Sequence, residues 1–250
     1  MCYRLCAAQE KSKGQRAMNI AKYIDHTLLK PEATPEQIRK LCDEALQYGF
    51  ASVCVNSEFT FTCIDQLGSM IPVCSVVGFP LGAMETKAKW YEAGEAIKHG
   101  AKEIDMVMQI GLLKAGLFSD ARKDIASVVD IAHKYGAIVK VIIETALLTH
   151  EEKIKSCELV VKAGADFVKT STGFSSGGAT VEDVKLMRKV VGPDFGVKAS
   201  GGIKDYHAAM AMIEAGANRL GCSAGVAIAE EAAKQCSSGA ETPPYSKLFR

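Results

Sequence analysis

A single (β/α)8 barrel of the TIM class is the fold this sequence predicts, and three observations carry the prediction. Short apolar runs alternate with longer amphipathic stretches along almost the whole chain. The join from stretch to run is repeatedly a glycine followed by a small or apolar residue, as in "GFASVCV", "GAKEIDMV", "GAIVKVII", "GADFVKT" and "GANRLGC". The length of 250 residues matches one closed barrel, and no Pro/Gly/Ser-rich linker separates the units. Glycine readily adopts the left-handed conformation that ends a helix, so each join marks a passage from helix into strand.

In chain order the expected strands are Tyr23–Leu28, Ala51–Val55, Val73–Val77, Glu103–Met108, Val139–Glu144, Phe167–Thr170, Gly196–Ser200 and Arg219–Cys222. Between them, Pro35–Tyr48, Glu85–His99, Asp120–Tyr135, Glu151–Ala163, Val181–Val191 and Asp205–Ala215 carry apolar faces at helical spacing. "TPEQ" at Thr34 and "THEE" at Thr149 read as capping boxes, and Pro35 takes a first helical position. The competing architecture, an open doubly wound sheet, would carry G-x-G-x-x-G in its first βα turn, and that string is missing. The barrel is expected over residues 18–234. The polar, aperiodic residues 1–17 read as a disordered leader, and the proline-bearing residues 235–250 as a flexible tail.

Bulk composition narrows the function classes. The apolar fraction of 48% and charged fraction of 24% are those of a globular protein with a sizeable core. A net charge of +1 with dispersed basic residues offers no stripe for nucleic acid or an anionic membrane surface, so any anion must be caught locally. The nine cysteines contain no Cys-x-x-Cys pair, which argues against a disulfide framework or a zinc knuckle and for a reducing cytoplasm. Cys2 and Cys6 read as thiols of the leader. No apolar run approaches the ~18 to 20 residues of a membrane span, and the leader lacks the apolar centre of a secretory signal.

Against that background, lysines inside apolar strands stand out. Alternate residues of a barrel strand face the helices and the interior. By phase, Asp105, Lys140, Ile142, Glu144, Phe167, Lys169, Ser171, Lys198 and Ser200 point inward, while Ile104, Met106, Val139, Val141 and Ile143 face the helices. Lys140, Lys169 and Lys198 recur every 29 residues, one βα unit each, and are expected at similar heights on adjacent strands. A strand-end lysine is ordinarily a surface residue, but three in phase beside Asp105 and Glu144 imply a task, because burying cations is costly.

The chemistry that uses such a cluster is amine attack on a carbonyl. It requires a neutral lysine, whose pKa must fall from ~10.4 to near ~7, about 4 kcal/mol. Two unit charges ~4 Å apart at an effective dielectric of ~20 repel by about 4 kcal/mol, so a second lysine could supply the shift. One lysine is then the nucleophile and its neighbour the perturbant, with Asp105 moving protons. Three small-residue loops, "STGFSSGGAT", "SGGI" and "GCSAG", follow the sixth, seventh and eighth strands, the usual phosphate seat of this barrel class. A substrate with a carbonyl at one end and a phosphate at the other fits both features.

The strings "YIDHTLLKPEAT", "SVCVN", "VVGFPLGA", "EIDMV", "GADFVKTSTGF", "GGATVEDVKLM" and "VKASGGI", in this order between about Met18 and Ala229, closely resemble the deoxyribose-phosphate aldolase family. The resemblance implies a class I aldolase without metal or other cofactor. Such an enzyme reversibly cleaves 2-deoxy-D-ribose 5-phosphate into D-glyceraldehyde 3-phosphate and acetaldehyde in deoxyribonucleoside catabolism. By motif, Lys169 is similar to the Schiff-base nucleophile, Lys198 to its pKa-lowering neighbour and Asp105 to the proton donor and acceptor. The same resemblance places Asp25, Thr27, Lys140 and Thr172 around the pocket, and Gly173, Gly201, Gly202, Gly221 and Ser223 on the phosphate.

Where relatives often read "GTSSG" this chain has Cys222 and Ala224, removing hydroxyls that could bind phosphate. Some relatives use a tyrosine at the extreme C-terminus in proton transfer; Tyr245, followed here by five residues, is the tail's one candidate for that role. Exposed outer helices of such barrels commonly support a homodimer. A sugar-phosphate isomerase working without a covalent adduct, or a silent sugar-phosphate sensor, would use the same barrel. The five histidines, His26, His99, His133, His150 and His207, lie in different units without ligand spacing, which argues against a metal-dependent aldolase.

Overall fold

The structure, a computed structural model, describes residues 18–237. The expected leader, and the expected tail from residue 238 onward with Tyr245, lie outside the described residues. Eight parallel strands, β1 (Ile24–Leu28), β2 (Ser52–Val55), β3 (Val73–Val77), β4 (Glu103–Val107), β5 (Ile138–Ile142), β6 (Phe167–Lys169), β7 (Gly196–Ser200) and β8 (Arg219–Cys222), close in sequence order, β8 pairing back onto β1. Around them run α1 (Pro35–Tyr48), α2 (Thr60–Leu67), α3 (Thr86–Lys98), α4 (Ile110–Lys114), α5 (Phe118–Lys134), α6 (His150–Lys162), α7 (Val181–Val191), α8 (Tyr206–Glu214) and α9 (Gly225–Ser237).

The local rules that predict these elements operate where expected. Thr34 and Thr149 form complete capping boxes with Gln37 and Glu152, and Gly49 ends α1 at φ 67°. Two helices escape the sequence pattern. In α2, "TFTCIDQL" is built largely from weak helix formers, and Phe59, the N-cap residue before it, makes no side-chain cap, so packing rather than propensity holds it. The five residues of α4 are too few to show a period. β5 stops at Ile142, short of the expected Glu144, because Glu144 takes a left-handed backbone at φ 55° and leaves the sheet.

Strand alternation sorts the molecule into two cores. Ile104, Met106, Val139, Val141, Val168 and Val197 belong to the apolar layer beneath the helices. The barrel interior instead holds Asp25, Glu103, Asp105, Lys140, Lys169 and Lys198, all buried, beside a small apolar cluster of Leu29, Cys54, Cys74 and Val76. Outside the barrel, Lys89 of α3 is also fully buried. Its Nζ donates to Asp124 of α5 at 2.7 Å and to the carbonyl of Val107 at 2.9 Å, tying both helices to the end of β4. Among the described residues no helix is long and apolar enough to cross a membrane.

Candidate active site

Asp105, in the middle of β4, organises the interior. Its Oδ2 accepts from Lys169 Nζ and from Lys198 Nζ, each at 2.7 Å, and its Oδ1 accepts from Lys140 Nζ at 2.9 Å. Lys169 and Lys198 are direct register partners on β6 and β7, so strand pairing itself sets them side by side. Lys140 departs from its expected height. It pairs with Phe167, while Ile142 pairs with Lys169, so Lys140 lies one inward layer lower. Equal sequence spacing counts loop as well as strand residues, and the stagger of the closed sheet decides the height.

The lower layer is a charge network. Lys140 Nζ lies 2.6 Å from Glu103 and 3.9 Å from Asp25; Lys198 Nζ lies 2.5 Å from Asp25. Arg219 closes the floor against Asp25 and Glu103. Burial alone would push the Asp105 carboxyl up, but the ammonium groups of Lys140, Lys169 and Lys198 hold it well below the usual carboxylate range. Asp25 is likewise depressed: burial acts upward, and Lys198, Arg219 and Lys140 overcome it. Burial pulls Lys198 down, yet Asp105 and Asp25 raise it above an ordinary lysine. Lys140 is raised in the same way, by Asp105 first among its acidic neighbours. Both are therefore firmly cationic. The repulsion between two isolated lysines is only part of the field, because a carboxylate oxygen stands between them.

Above this network opens a cavity of about 370 Å³ with Lys169 in its lining. Thr27, Thr172, Gly173, Gly201, Gly202, Gly221 and Ser223 line it as the sequence suggests, together with Ser200 and Cys222. Asp25 and Lys140 do not. They are fully buried beneath it, because their strand positions lie lower in the barrel and their charges are consumed by one another and by Glu103, Asp105, Lys198 and Arg219. Asp105 and Lys198 are also fully buried and absent from the wall, and Asp105 reaches the cavity only through its contact with Lys169.

The loops that shape the cavity are tightly specified. Thr172 Oγ1 and backbone N–H both donate to Glu144, at 2.5 and 3.2 Å, which explains the left-handed Glu144 at the end of β5. Gly201 and Gly202 have φ of 87° and 82°, a conformation L side chains avoid. A Cβ on Gly221 would come within 2.9 Å of Ser200 Cβ and 3.0 Å of Lys198 Cε, so this glycine makes room for the buried lysine. Sequence reasoning missed Lys30, Lys204 and Phe174, which also line the cavity. Lys204 was findable as a cation directly following the glycine turn after β7; Lys30 and Phe174 carry no sequence signal beyond adjacency to loops.

Cys54 Sγ, Cys74 Sγ and an Asp105 oxygen lie within 4.8 Å of one another, a spacing a metal ion could use. Three ammonium groups already compete for Asp105, and burial with the Cys54 contact and the Asp105 charge raises the Cys74 thiol well above its ordinary value, so the set is a poor cation ligand.

The DeoC/LacD family aldolase profile matches residues 19–231. The chain belongs to this aldolase family. It is 61% identical over 225 residues to a deoxyribose-phosphate aldolase of Caldanaerobacter subterraneus subsp. tengcongensis, covering 89% of this chain and 97% of the relative. It is also 61% identical over 218 residues to one of Thermococcus gammatolerans, covering 86% and 97%. A solved aldolase superposes with a TM-score of 0.84 at 38% identity, over 88% of this chain and 99% of the other. A deoxyribose phosphate aldolase from Aeropyrum pernix, described as a tetramer, gives 0.79 at 36% identity, over 84% and 89%. As a member of this family the chain is a carbon–carbon lyase, an aldolase on a (β/α)8 barrel.

Proposed function

We propose that this aldolase works through a Schiff base on Lys169 and reversibly cleaves 2-deoxy-D-ribose 5-phosphate into D-glyceraldehyde 3-phosphate and acetaldehyde. The observation that carries the reading is that Lys169 and Lys198, register partners on β6 and β7, meet on one oxygen of buried Asp105 at the edge of the cavity. Names of relatives at 61% identity support the substrate.

The Lys169 amine adds to the C1 aldehyde, and loss of water gives an iminium. The C3 hydroxyl then gives up its proton, the C2–C3 bond breaks, and its electron pair moves to the nitrogen side as an enamine while glyceraldehyde 3-phosphate leaves. Protonation at C2 and hydrolysis release acetaldehyde and restore the lysine. Lys198, held cationic by Asp105 and Asp25, is the like charge beside the attacking amine, and Asp105 is the group within reach to take and return protons. When Lys169 gives up its proton, Asp105 keeps Lys198 and Lys140 as partners, so the step does not strand a buried carboxylate.

At the far end, Gly201, Gly202, Lys204 and Ser223, with α9 starting at Gly225, would receive the phosphate; Thr27, Thr172, Gly173 and Gly221 complete the substrate contacts. In this reading Asp25 and Lys140 set charge from below rather than touch the sugar. A cytoplasmic location is supported by Cys42, Cys54, Cys63, Cys74, Cys157 and Cys222, each buried and outside any disulfide. Homodimer formation is supported by exposed Phe61, Trp90 and Tyr91 on α2 and α3.

The test is borohydride reduction in the presence of 2-deoxyribose 5-phosphate, followed by peptide mass mapping. A reduced adduct is expected on the Lys169 peptide, and Lys169→Ala should fold but neither trap nor cleave. Turnover without any adduct would replace this chemistry with a non-covalent isomerisation.

A further inference from the structure

Thr172 lines the cavity with a hydroxyl whose proton is already committed. Its Oγ1 donates to Glu144 Oε2 at 2.5 Å and accepts from the Phe174 N–H at 3.1 Å. A threonine hydroxyl has one proton and two lone pairs. With the proton held by a carboxylate and one lone pair filled by an N–H, a single lone pair is left for a ligand. Toward a substrate Thr172 can only accept.

The arrangement is held from both sides. Glu144 is buried and, at φ 55°, is the one non-glycine residue with positive φ among the described residues, a conformation that persists only where the surroundings impose it. The Thr172 N–H donates to the same Glu144 oxygen at 3.2 Å, and Glu144 Oε1 has no hydrogen-bond partner among the described residues, so the carboxylate serves Thr172. On the β5 side the Thr145 N–H donates to the Thr170 carbonyl at 3.0 Å. On the β7 side Ser200 Oγ donates to the Ser171 carbonyl at 2.6 Å, and the Ser200 N–H to Thr170 Oγ1 at 3.1 Å. The loop cannot turn the hydroxyl away without breaking these bonds.

Thr172 also stands at a defined place along the substrate. It follows Lys169 in the loop after β6 and precedes Gly173, whose Cα would lie 3.6 Å from a Cβ on Gly201. It is therefore set between the reacting amine and the glycines assigned to the phosphate, where the middle carbons of the sugar must pass.

Resting on the function proposed above, we propose that Glu144 is a positioning residue: it makes Thr172 a pure acceptor, and Thr172 then selects the open-chain sugar through its C4 hydroxyl. In the furanose ring of 2-deoxyribose 5-phosphate the C4 oxygen is an ether bonded to C1 and has no proton to give. Ring opening breaks the bond from C1 to that oxygen and moves the C1 hydroxyl proton onto it. The aldehyde that Lys169 attacks and the hydroxyl that Thr172 accepts from thus appear together. The C3 oxygen fits less well, because it alternates between hydroxyl and aldehyde during the reaction, and an aldehyde oxygen cannot donate. The C4 oxygen stays a hydroxyl from the iminium to glyceraldehyde 3-phosphate. A site built to hydrogen-bond a hydroxyl discriminates strongly against an analogue without one, because its own polar group is left unpaired.

The experiment is calorimetric binding of two unreactive analogues. One is 2-deoxyribitol 5-phosphate, an open chain carrying the C4 hydroxyl; the other is 1,2-dideoxyribose 5-phosphate, a closed ring whose C4 oxygen is an ether. The wild type should bind the open chain about 10-fold or more tighter. Glu144→Met keeps the length of the side chain without an acceptor, which frees the Thr172 proton to turn to the ring oxygen, and the ratio of the two Kd values should fall about 10-fold. Glu144→Gln can seat its amide oxygen where Oε2 stands and should keep the ratio within about 3-fold of the wild type. Equal binding of both analogues by the wild type, an unchanged ratio in a folded Glu144→Met enzyme, or a fall in Glu144→Gln as large as in Glu144→Met overturns the assignment. Should Glu144→Met not fold, Thr172→Val replaces it, keeping the shape and removing the hydroxyl: a ratio that falls supports the proposal and an unmoved one overturns it. Cleavage of 2-deoxyribose 5-phosphate by the wild type, measured alongside, tests the function reading separately, and its absence defeats that reading whatever the analogues do.

Discussion

Replacing Asp105 by Asn preserves the size of the side chain and removes the one charge on which three buried ammonium groups converge. Lys198 would keep Asp25 at 2.5 Å and Lys140 would keep Glu103 at 2.6 Å, but Lys169 has no other carboxylate among its described ion pairs. Breaking a buried pair by removing one partner costs about 3–5 kcal/mol, and with two of three cations still paired the low end, about 3 kcal/mol, is expected at pH 7. For a chain of this size that is a fall of roughly 6–12 °C in Tm. The pH dependence identifies the cause. Asp105 is held below its unfolded value, so its contribution is full above the unfolded pKa near ~3.9. It is lost as pH falls toward the depressed folded value, by about 1.4 kcal/mol per unit. Thermal melts of both proteins by circular dichroism between pH 3 and pH 8 should show a constant gap above pH 5 that narrows below pH 4. A gap that stays the same at pH 3, or a loss under about 1 kcal/mol at pH 7, would refute the claim that Asp105 is the buried counter-ion of the site.

Lys204→Ala should raise KM for 2-deoxyribose 5-phosphate by about 10-fold or more and should not change kcat/KM for unphosphorylated 2-deoxyribose; steady-state kinetics on both sugars check it. Gly221→Ala should destabilise by about 1–3 kcal/mol in a urea titration, because the new Cβ meets Ser200 Cβ at 2.9 Å and Lys198 Cε at 3.0 Å. Lys89→Met should cost about 3–5 kcal/mol by stranding buried Asp124, and the double variant Lys89→Met/Asp124→Leu should recover most of that loss in the same titration.

What the sequence discloses and what it hides divide along a physical line. Strand phase is local, with a period of two, so the inward direction of Asp105, Lys140, Lys169 and Lys198 is readable without coordinates, and all four are buried in the interior. Height in the barrel depends on the stagger between neighbouring strands, which no single strand encodes. That is why Lys140 sits one layer lower than its spacing suggests and, with Asp25, serves the floor instead of the cavity wall. Helix ends with a capping box were legible at Thr34 and Thr149, whereas α2, lacking an N-terminal side-chain cap, was not.

The electrostatics shows the same division at greater consequence. From residue types alone, two adjacent lysines suggest simple mutual repulsion. The folded chain instead threads a carboxylate between them and a second one, Asp25, behind Lys198, so that the two lysines are made unequal. Lys198 has two buried carboxylates and is pinned as a cation; Lys169 shares only one, at the position facing the cavity. In the proposed mechanism, inequality rather than proximity alone is what would let one amine of a matched pair react while its neighbour holds the charge. The distinction depends on Asp25 coming from β1 to meet Lys198 from β7, a contact made only when β8 closes the sheet by pairing with β1.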